Sequence, residues 1–565
     1  MNRRLCIFLL PAVILLSACN DNGGGRCGTT GNIVVPADSV IGPEPGGTKD
    51  PDGGAPVALT ISGNVSYDRL LVTAAGLDTA SPANEVAQDV LVEAVAWYDL
   101  NTVFASTSTD ASGDYTLNFS TIADYFIRAR AQCGTAPDID RVYHSQTSPP
   151  IVHAVPSPLL NRAAGSQTVN LHATGDLPND RAGAFAALDT VRRLRAAASG
   201  SFASLGPLDL FWAPGNIGTR VLKNGSGQTI TMTTVTGLDG PMGNPSIYLI
   251  GGSSADPLNS DHDEFDESVI AHEWASFLQL TQSRDNNFGG AHFGEELLPT
   301  AAYSEGVVTA IGLALLGTSL YRDTVGYIGG TTGLQFEFDM ESGVIPGTGV
   351  GYGNEFEITR ATWDLFDGGT GSPADGDGDP SNIALADFLS SFAALKTRTA
   401  PYEVAWMPSL LQQLIDDTFL NQTDANTIMT AQGAQFPPPG GADPFPALLI
   451  VGAAATSGML DAWSGTDPNS ILGPQANGVF RLELAATQSV TIDVTNTTAG
   501  YSSLAHRLDL TVHDLERNIL GQSVGGAPNK TVALNLTAGT YIIRVQHLPA
   551  SQAGSMPVTF TVQAQ

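Results

Sequence analysis

The segment DHDEFDESVIAHEWASFLQL, residues Asp261 to Leu280, decides how the middle of this chain is interpreted. Asp266 is of a residue type that caps helices, so the pattern predicts a helix that begins at Glu267. A helix places His272 and Ser276 one above the other, because residues four apart share a face. The HExxH motif uses these two positions for two histidines that bind one metal ion. Here the second position is a serine.

Glu273 follows His272 and lies beside the same face of the predicted helix. In an HExxH site, the glutamate is the general base for the attacking water. Ser276 departs from the motif, because a neutral hydroxyl is a poor zinc ligand beside imidazole, thiolate or carboxylate. His272 and Glu273 can equally be a satisfied core histidine and a surface glutamate, so the interpretation depends on their surroundings.

The segment downstream supplies a candidate third ligand. Residues 301–316 form an apolar pattern typical of a helix, in which Glu305 is the one carboxylate. Such a carboxylate is costly to bury unless a cation or a donor pairs with it. Glu305 lies 29 residues after Ser276, a spacing compatible with a ligand from a second helix. His292 can lie near the same cleft, as a substitute ligand or an oxyanion donor.

Residues 176–435 combine helical and strand patterns and are predicted to form an α+β domain. A strand at Ser246 to Ile250 is expected at the edge of a sheet, where substrate peptides commonly add. The other predicted elements are strands at Leu208 to Trp212 and Thr229 to Val235, and helices at Arg181 to Ala198, Ala384 to Lys396 and Glu403 to Ile415.

Alternating apolar residues flank this domain on both sides. Residues 57–175 show period-two patterns separated by turn signals, which predicts a small β-sandwich. Residues 436–475 are expected to be a linker, and residues 476–565 contain six alternating segments that predict a second sandwich. The predicted fold class is therefore multidomain: an N-terminal β-sandwich, a central α+β domain and a C-terminal β-sandwich.

Short motifs in the two sandwiches resemble known modules. The strings ISGNVSY (Ile61 to Tyr67) and DASGDYTL (Asp110 to Leu117) resemble the carboxypeptidase regulatory-like domain, which implies an Ig-like fold. The strings LDLTVHD (Leu508 to Asp514) and LTAGTYIIRV (Leu536 to Val545) resemble the bacterial pre-peptidase C-terminal domain. That module commonly follows secreted peptidase domains, and it implies no catalysis of its own.

The central domain resembles bacterial secreted or lipid-anchored metallopeptidase-like proteins of the gluzincin type. The resemblance is carried by VIAHEW (Val269 to Trp274), GGAH (Gly289 to His292), SEG (Ser304 to Gly306) and ITRATWDLFD (Ile358 to Asp367). It implies a zincin-like fold, zinc as cofactor and a polypeptide substrate. It also implies His272 and Glu305 as metal ligands and Glu273 as general base, whereas Ser276 breaks the pattern.

The N-terminus resembles a bacterial lipoprotein signal. Arg3 and Arg4 precede an apolar stretch that ends in the string Leu-Ser-Ala before Cys19. The resemblance implies a signal peptide over residues 1–18, lipidation of Cys19 and a membrane anchor in the cell envelope, followed by a flexible linker over residues 19–56. By the same resemblance, Asn20 directly after the lipidated cysteine favours sorting of the protein to the outer membrane. An ordinary secretory peptide is the alternative.

The net charge, the cysteines and one acidic string bear on nucleic-acid binding, a disulfide and a calcium site. With 25 basic against 56 acidic residues, the net charge of -31 would repel nucleic acid, so nucleic-acid binding is not expected. Cys27 and Cys133 can form a disulfide or stay free. The acidic string from Asp375 to Asp379 lacks the glycine and glutamate of an EF-hand, which leaves a looser calcium site or a solvated acidic loop.

Two hypotheses of function follow from these patterns. The first is a lipid-anchored zinc-metallopeptidase-like protein, which is an inactive pseudoenzyme if Ser276 prevents metal binding. The second is a non-catalytic surface protein that binds or adheres through its sandwiches or through the cleft. Ser276 separates the two, because hydrolysis of a peptide bond at this site requires that a metal ion binds in spite of it.

Overall fold

The computed structural model describes residues 55–175, 181–216, 222–223, 229–230, 235–237, 241–252, 256, 258–288, 296–330, 333–341, 351–367, 380–399, 402–436, 445–460, 476–502, 506–548 and 557–565. The predicted signal peptide, Cys19, Cys27, His292 and the Asp375 to Asp379 string lie outside these ranges. Most of the first linker, residues 19–54, also lies outside them.

The N-terminal region is built of β-strands, as its alternating pattern predicts. In the strand Asp114–Thr121, exposed and buried residues alternate without exception, so one face points to a core and the other to solvent. The strands are β1 Val57–Thr73, β2 Gly76–Val86, β3 Leu91–Ala96, β4 Asp99–Ser108, β5 Asp114–Thr121, β6 Tyr125–Arg130, β7 Gln132–Thr135, β8 Asp138–His144, β9 Ile151–Val152, β10 Ala154–Pro156, β11 Gln167–Thr168 and β12 Leu171–Ala173.

Two sheets of this region form a sandwich. Strand β1 pairs with β2 and β5 in antiparallel and with β11 and β12 in parallel. The second sheet has the order β10-β6-β3-β4. The large buried side chains Tyr67 and Tyr125, one from each sheet, lie in the same core.

The central region contains helices and short strands, which agrees with the α+β prediction. The helix α1 begins one residue after the predicted Arg181, and β13 coincides with the predicted strand. The helices are α1 Ala182–Ala198, α2 Glu267–Gln282, α3 Pro299–Leu316, α4 Glu355–Trp363, α5 Leu385–Ala394, α6 Met407–Asp416 and α7 Gln422–Ala431. The strands are β13 Leu208–Trp212, β14 Leu222–Lys223, β15 Thr229–Ile230, β16 Val235–Gly237, β17 Ser246–Tyr248, β18 Leu320–Val325 and β19 Gly333–Asp339.

One sheet crosses the boundary that the sequence places at residue 175. Its order is β16-β17-β13-β8-β7, and β9 pairs with β8. Strand β8 pairs in parallel with β13, and α1 lies between them in the chain, which is the connection that parallel strands require. Residues 132–152 therefore share a sheet and a hydrophobic core with the central region.

The predicted edge strand lies one position inside the sheet. Strand β17 has β13 on one side and β16 on the other. The predicted strand Thr229 to Val235 covers β15 and the first residue of β16, and residues 231–234 between them lie outside the described ranges. Among the described strands, β16 is the outermost at this side of the sheet.

Helices α2 and α3 pack closely at one point. A Cβ atom at Gly312 of α3 would lie 2.6 Å from the carbonyl oxygen of Ala271, which directly precedes His272 in α2. Glycine is thus required here because the two backbones approach each other. Helix α3 is long and apolar enough to cross a membrane by composition, but 78% of it is buried inside the protein, as in a core helix.

The C-terminal region contains all six predicted strands and three more. Strands β20 and β21 lie in the predicted linker, at residues 447–460, and extend the two sheets of the sandwich. The sheets have the orders β20-β22-β27-β24-β25 and β21-β28-β23-β26. The strands are β20 Ala447–Leu449, β21 Thr456–Leu460, β22 Asn477–Leu484, β23 Gln488–Asn496, β24 Leu508–His513, β25 Ile519–Ser523, β26 Asn529–Leu536, β27 Gly539–His547 and β28 Val558–Ala564.

Candidate metal centre

His272 and Glu305 lie close together. Helix α2 carries the imidazole and helix α3 carries the carboxylate, and the Nε2 and Oε2 atoms are 3.4 Å apart. Each side chain is 18% exposed, so the pair is mostly buried but still reached by solvent. Zinc bonds of about 2.1 Å to nitrogen and oxygen at a tetrahedral angle give a ligand separation of about 3.4 Å.

Thr309 sets the orientation of the imidazole. Its hydroxyl donates to the carbonyl of Glu305, one turn earlier in α3, at 2.8 Å. The same hydroxyl lies 2.8 Å from Nδ1 of His272. Because its one hydrogen is already donated, we assign the ring proton to Nδ1, which donates to Thr309. The lone pair of Nε2 then points at the carboxylate, as in metal sites whose other ring nitrogen donates to a fixed acceptor.

Asn287 holds the other oxygen of the carboxylate. Its amide Nδ2 donates to Oε1 of Glu305 at 2.7 Å, which leaves Oε2 towards His272. Two acceptors that face each other at 3.4 Å need a proton or a cation between them. The pair can therefore exist either as imidazolium and carboxylate or as two ligands of one metal ion.

Glu273 lies at the edge of the sheet. The hydroxyl of Thr236, in β16, donates to its carboxylate oxygen Oε2. Burial raises the pKa of Glu273, while the adjacent His272 opposes the rise. A pKa closer to neutrality suits a general base better than that of an ordinary glutamate.

Ser276 does not replace the missing histidine. Its hydroxyl donates to the carbonyl of His272 at 3.1 Å, one turn earlier in α2. The serine is thus used as a local helix bond, which is common for this residue type within helices. Two of the residues predicted around the metal, His272 and Glu305, are brought together, and the predicted neighbour His292 lies outside the described residues.

Asp266 precedes α2 as predicted but does not cap it. The helix begins at Glu267, and no side-chain cap bond is formed. Instead, Oδ2 of Asp266 accepts from the backbone nitrogen of Thr324 at 2.7 Å, and Oδ1 accepts from its hydroxyl at 2.9 Å. The carboxylate therefore joins the start of α2 to β18, a partner far away in the chain.

A second group of acidic residues could bind a metal ion. It consists of Asp261, Asp263, Asp266 and Asp323, whose ligand oxygens all lie within 4.8 Å of one another. Sequence reasoning did not select them, although the first three lie in the quoted segment at intervals of two and three residues. Asp323 follows 57 residues after Asp266, and no local pattern links it to the others.

The C-terminal sandwich contacts the segment that precedes the site residue Asn287. Arg517 forms an ion pair of 2.7 Å with Asp285, and its Nη1 atom also donates to the carbonyl of Asn287 at 3.1 Å. The ring of Phe288 lies 5.0 Å from that of His513. The sandwich thus fixes the backbone from which Asn287 reaches Glu305.

Comparisons with known proteins do not define a family. No family model matches the chain, and no curated protein matches it. Among solved structures, it is similar to the pre-peptidase C-terminal domain of a collagenase from Bacillus anthracis, with 14% identity, 21% of this chain and 94% of that chain covered, and a TM-score of 0.16. It is also similar to PliG, a periplasmic inhibitor of g-type lysozyme from Aeromonas hydrophila, with 18% identity, 21% and 98% coverage and a TM-score of 0.14. A fucose binding module from Streptococcus pneumoniae shows 14% identity, 20% and 94% coverage and a TM-score of 0.13.

Proposed function

We propose that this chain is a lipid-anchored cell-envelope protein whose central domain has a zinc-metallopeptidase-type site and hydrolyses polypeptides. His272 and Glu305 are the metal ligands, and Glu273 is the general base. The observation that carries the proposal is the 3.4 Å separation of Nε2 and Oε2, with Nδ1 of His272 directed to Thr309. A histidine held in this way is prepared to give its second nitrogen to a metal ion.

An imidazole nitrogen and a carboxylate oxygen are donor types that zinc binds, and the remaining groups suit hydrolysis. A zinc ion held by His272 and Glu305 would supply a Lewis acid that polarises the scissile carbonyl and activates water. Glu273 accepts the proton of that water and passes it to the leaving amine, and Thr236 holds its carboxylate in place. Asn287 and Thr309 keep the two ligands oriented. Strand β16, outermost among the described strands, offers its free edge to an extended peptide.

Zinc content and activity test the proposal together. Purified full-length protein should bind one zinc ion by mass spectrometry after dialysis, and His272→Ala and Glu305→Gln should each lose it. Glu273→Gln should keep the zinc and abolish cleavage of an unfolded protein substrate such as casein. Cleavage that survives Glu273→Gln would refute the role of the general base. A natural protein that binds no zinc would refute the metal site.

A second candidate is supported by Ser276. Catalytic zinc sites commonly have three protein ligands, and the Ser276 hydroxyl is engaged with the carbonyl of His272 instead. On this view, the domain is a non-catalytic protein that holds a polypeptide or a glycan. Ser276→His separates the two candidates: zinc bound by the variant and not by the natural protein favours the binding protein, and zinc bound by both favours the peptidase.

A further inference from the structure

Four aspartates that are not part of the His272 and Glu305 pair meet beside the N-terminal end of α2. Asp261 and Asp263 come from the loop before α2, Asp266 directly precedes the helix, and Asp323 lies in β18. Their ligand oxygens are all within 4.8 Å of one another. Asp263 is 3% exposed and Asp266 is fully buried, so the group is enclosed by the protein.

Two of the four carboxylates, those of Asp261 and Asp323, each have one buried oxygen that accepts no hydrogen bond. These Oδ1 atoms are excluded from solvent, although both residues are partly exposed as a whole. In the described part of the chain, neither Asp261, Asp266 nor Asp323 forms an ion pair with a lysine or an arginine. Buried carboxylates without a cation are strongly disfavoured, so two buried oxygens without a donor, on carboxylates that lie within 4.8 Å of two others, indicate a missing positive charge.

Burial and mutual repulsion act in the same direction on these groups. Burial raises the pKa of Asp261, Asp266 and Asp323 well above its usual range, and the neighbouring carboxylates raise it further. The Thr324 hydroxyl and backbone nitrogen oppose this only at Asp266. A bound cation would remove both the repulsion and the desolvation cost.

We propose that Asp261, Asp263, Asp266 and Asp323 bind one calcium ion. An all-oxygen, carboxylate-rich set is the donor set of a hard divalent cation. Ligands on opposite sides of calcium lie about 4.6 to 5.2 Å apart, twice the usual bond length, so four oxygens within 4.8 Å of one another can surround one such ion. The corresponding span for magnesium is about 4.2 Å, and zinc favours nitrogen and sulfur donors.

The calcium ion ties three elements together. Asp266 already bonds to the backbone of Thr324, and Asp261 pairs with Val325 through a β-bridge. The ion adds Asp323 of β18 to the loop and to Asp266, which directly precedes α2. His272 follows Asp266 by six residues, less than two helical turns. Calcium therefore stabilises the start of the helix that carries the imidazole.

Calcium binding to the full-length protein tests the proposal. After EGTA treatment and removal of the chelator, titration with calcium chloride in a calorimeter should show binding at this site, and calcium should raise the thermal unfolding midpoint more than the same concentration of magnesium chloride does. The double variant Asp261→Asn and Asp323→Asn keeps the shapes of the side chains and removes two charges. It should bind calcium on the order of 100-fold more weakly and lose the calcium-dependent shift.

The acidic string from Asp375 to Asp379 provides the matched control. Asp375→Asn, Asp377→Asn and Asp379→Asn together should leave the calcium-dependent shift unchanged. Loss of the shift in this triple variant, an unchanged shift in the double variant, or no shift in the natural protein would each overturn the proposal. Should the double variant fail to fold, Asp323→Asn alone gives the same test, because it removes one unpartnered oxygen and leaves the loop intact.

Discussion

Nη1 of Arg517 lies 2.7 Å from Oδ2 of Asp285 and connects the C-terminal sandwich to the candidate metal centre. Asp285 in turn accepts from the backbone nitrogen of Asn287 at 2.8 Å, and Asn287 donates to Glu305. Burial raises the pKa of Asp285, and Arg517 opposes the rise. The arginine thus stabilises a charge on which the position of a proposed ligand depends.

Replacing Arg517 should weaken the site from a distance. Arg517→Gln leaves the Asp285 carboxylate, which is 7% exposed, without its cation, and this should cost about 1 to 3 kcal/mol of stability. Zinc affinity should fall as well, because Asn287 loses its support. Arg507→Gln is the control, since Arg507 forms a similar pair of 2.5 Å with Asp509 inside the sandwich. Equal zinc affinities in the two variants, measured by competition with a chelator, would contradict the connection.

Thr309→Val should reduce metal affinity without changing the fold. Valine has the shape of threonine but cannot accept the Nδ1 proton of His272, so the ring loses its orientation. Loss of such a contact typically lowers metal affinity about 10-fold to 100-fold. Thr359→Val serves for comparison, because the Thr359 hydroxyl donates to the carbonyl of Glu355 in α4 in the same way, at 2.8 Å. The idea fails if both variants bind zinc equally well.

Gly312→Ala should separate α2 from α3. The added Cβ would lie 2.6 Å from the Ala271 carbonyl oxygen, so one helix must move. Overpacking of this kind costs about 1 to 3 kcal/mol. The expected results are a lower unfolding midpoint and weaker zinc binding, because His272 directly follows Ala271. Gly200→Ala, at a position where a Cβ meets nothing within 4 Å, should change neither quantity.

Stability should depend on pH through Asp140. This residue of β8 is fully buried and pairs with Arg195 of α1 at 2.5 Å, and burial raises its pKa from 3.8 to about 6. As the pH rises, the Asp140 carboxyl therefore loses its proton at a lower pH in the unfolded chain than in the folded protein. The contribution to stability is complete below about pH 4 and is lost as the pH rises to 6, and a shift of this size corresponds to about 3 kcal/mol.

Unfolding measured from pH 4 to pH 7 checks this direction. Relative to Asp140→Asn, which has no proton to lose there, the natural protein should become less stable as the pH rises. The exposed Asp387→Asn should follow the natural protein throughout. A natural protein that gains stability against the Asp140→Asn variant over this range would show that Arg195 outweighs burial.

Local patterns accounted for the elements of the fold better than for their pairing. The helix from Glu267 and the six C-terminal strands follow from short-range periodicity, which is set by the backbone of each element. The sequence predicts a linker where β20 and β21 lie, because these strands are short and follow a proline-rich segment. The sheet shared across residue 175 was not foreseen, because β8 and β13 are separated by more than sixty residues.

The candidate site was partly visible in the same way. His272, Glu273 and Glu305 were selected because their residue types and spacing are unusual among apolar neighbours. Thr309 could also be predicted from the sequence, because it lies one turn after Glu305 on the same face of the helix. The contacts that Asn287, Thr236 and Arg517 make around the site cannot be predicted from the sequence, because a different part of the fold brings each of them there.

The sequence by itself determined two candidate site residues, the His272 imidazole and the Glu305 carboxylate, and the two helices that carry them. The tertiary structure alone decided that Nε2 and Oε2 lie 3.4 Å apart, that Ser276 is engaged within its own helix, and that Asp323 completes the acidic cluster. The physical reason is that periodicity fixes directions within one element, whereas close approach between elements depends on packing, here on a glycine that lets α2 and α3 touch.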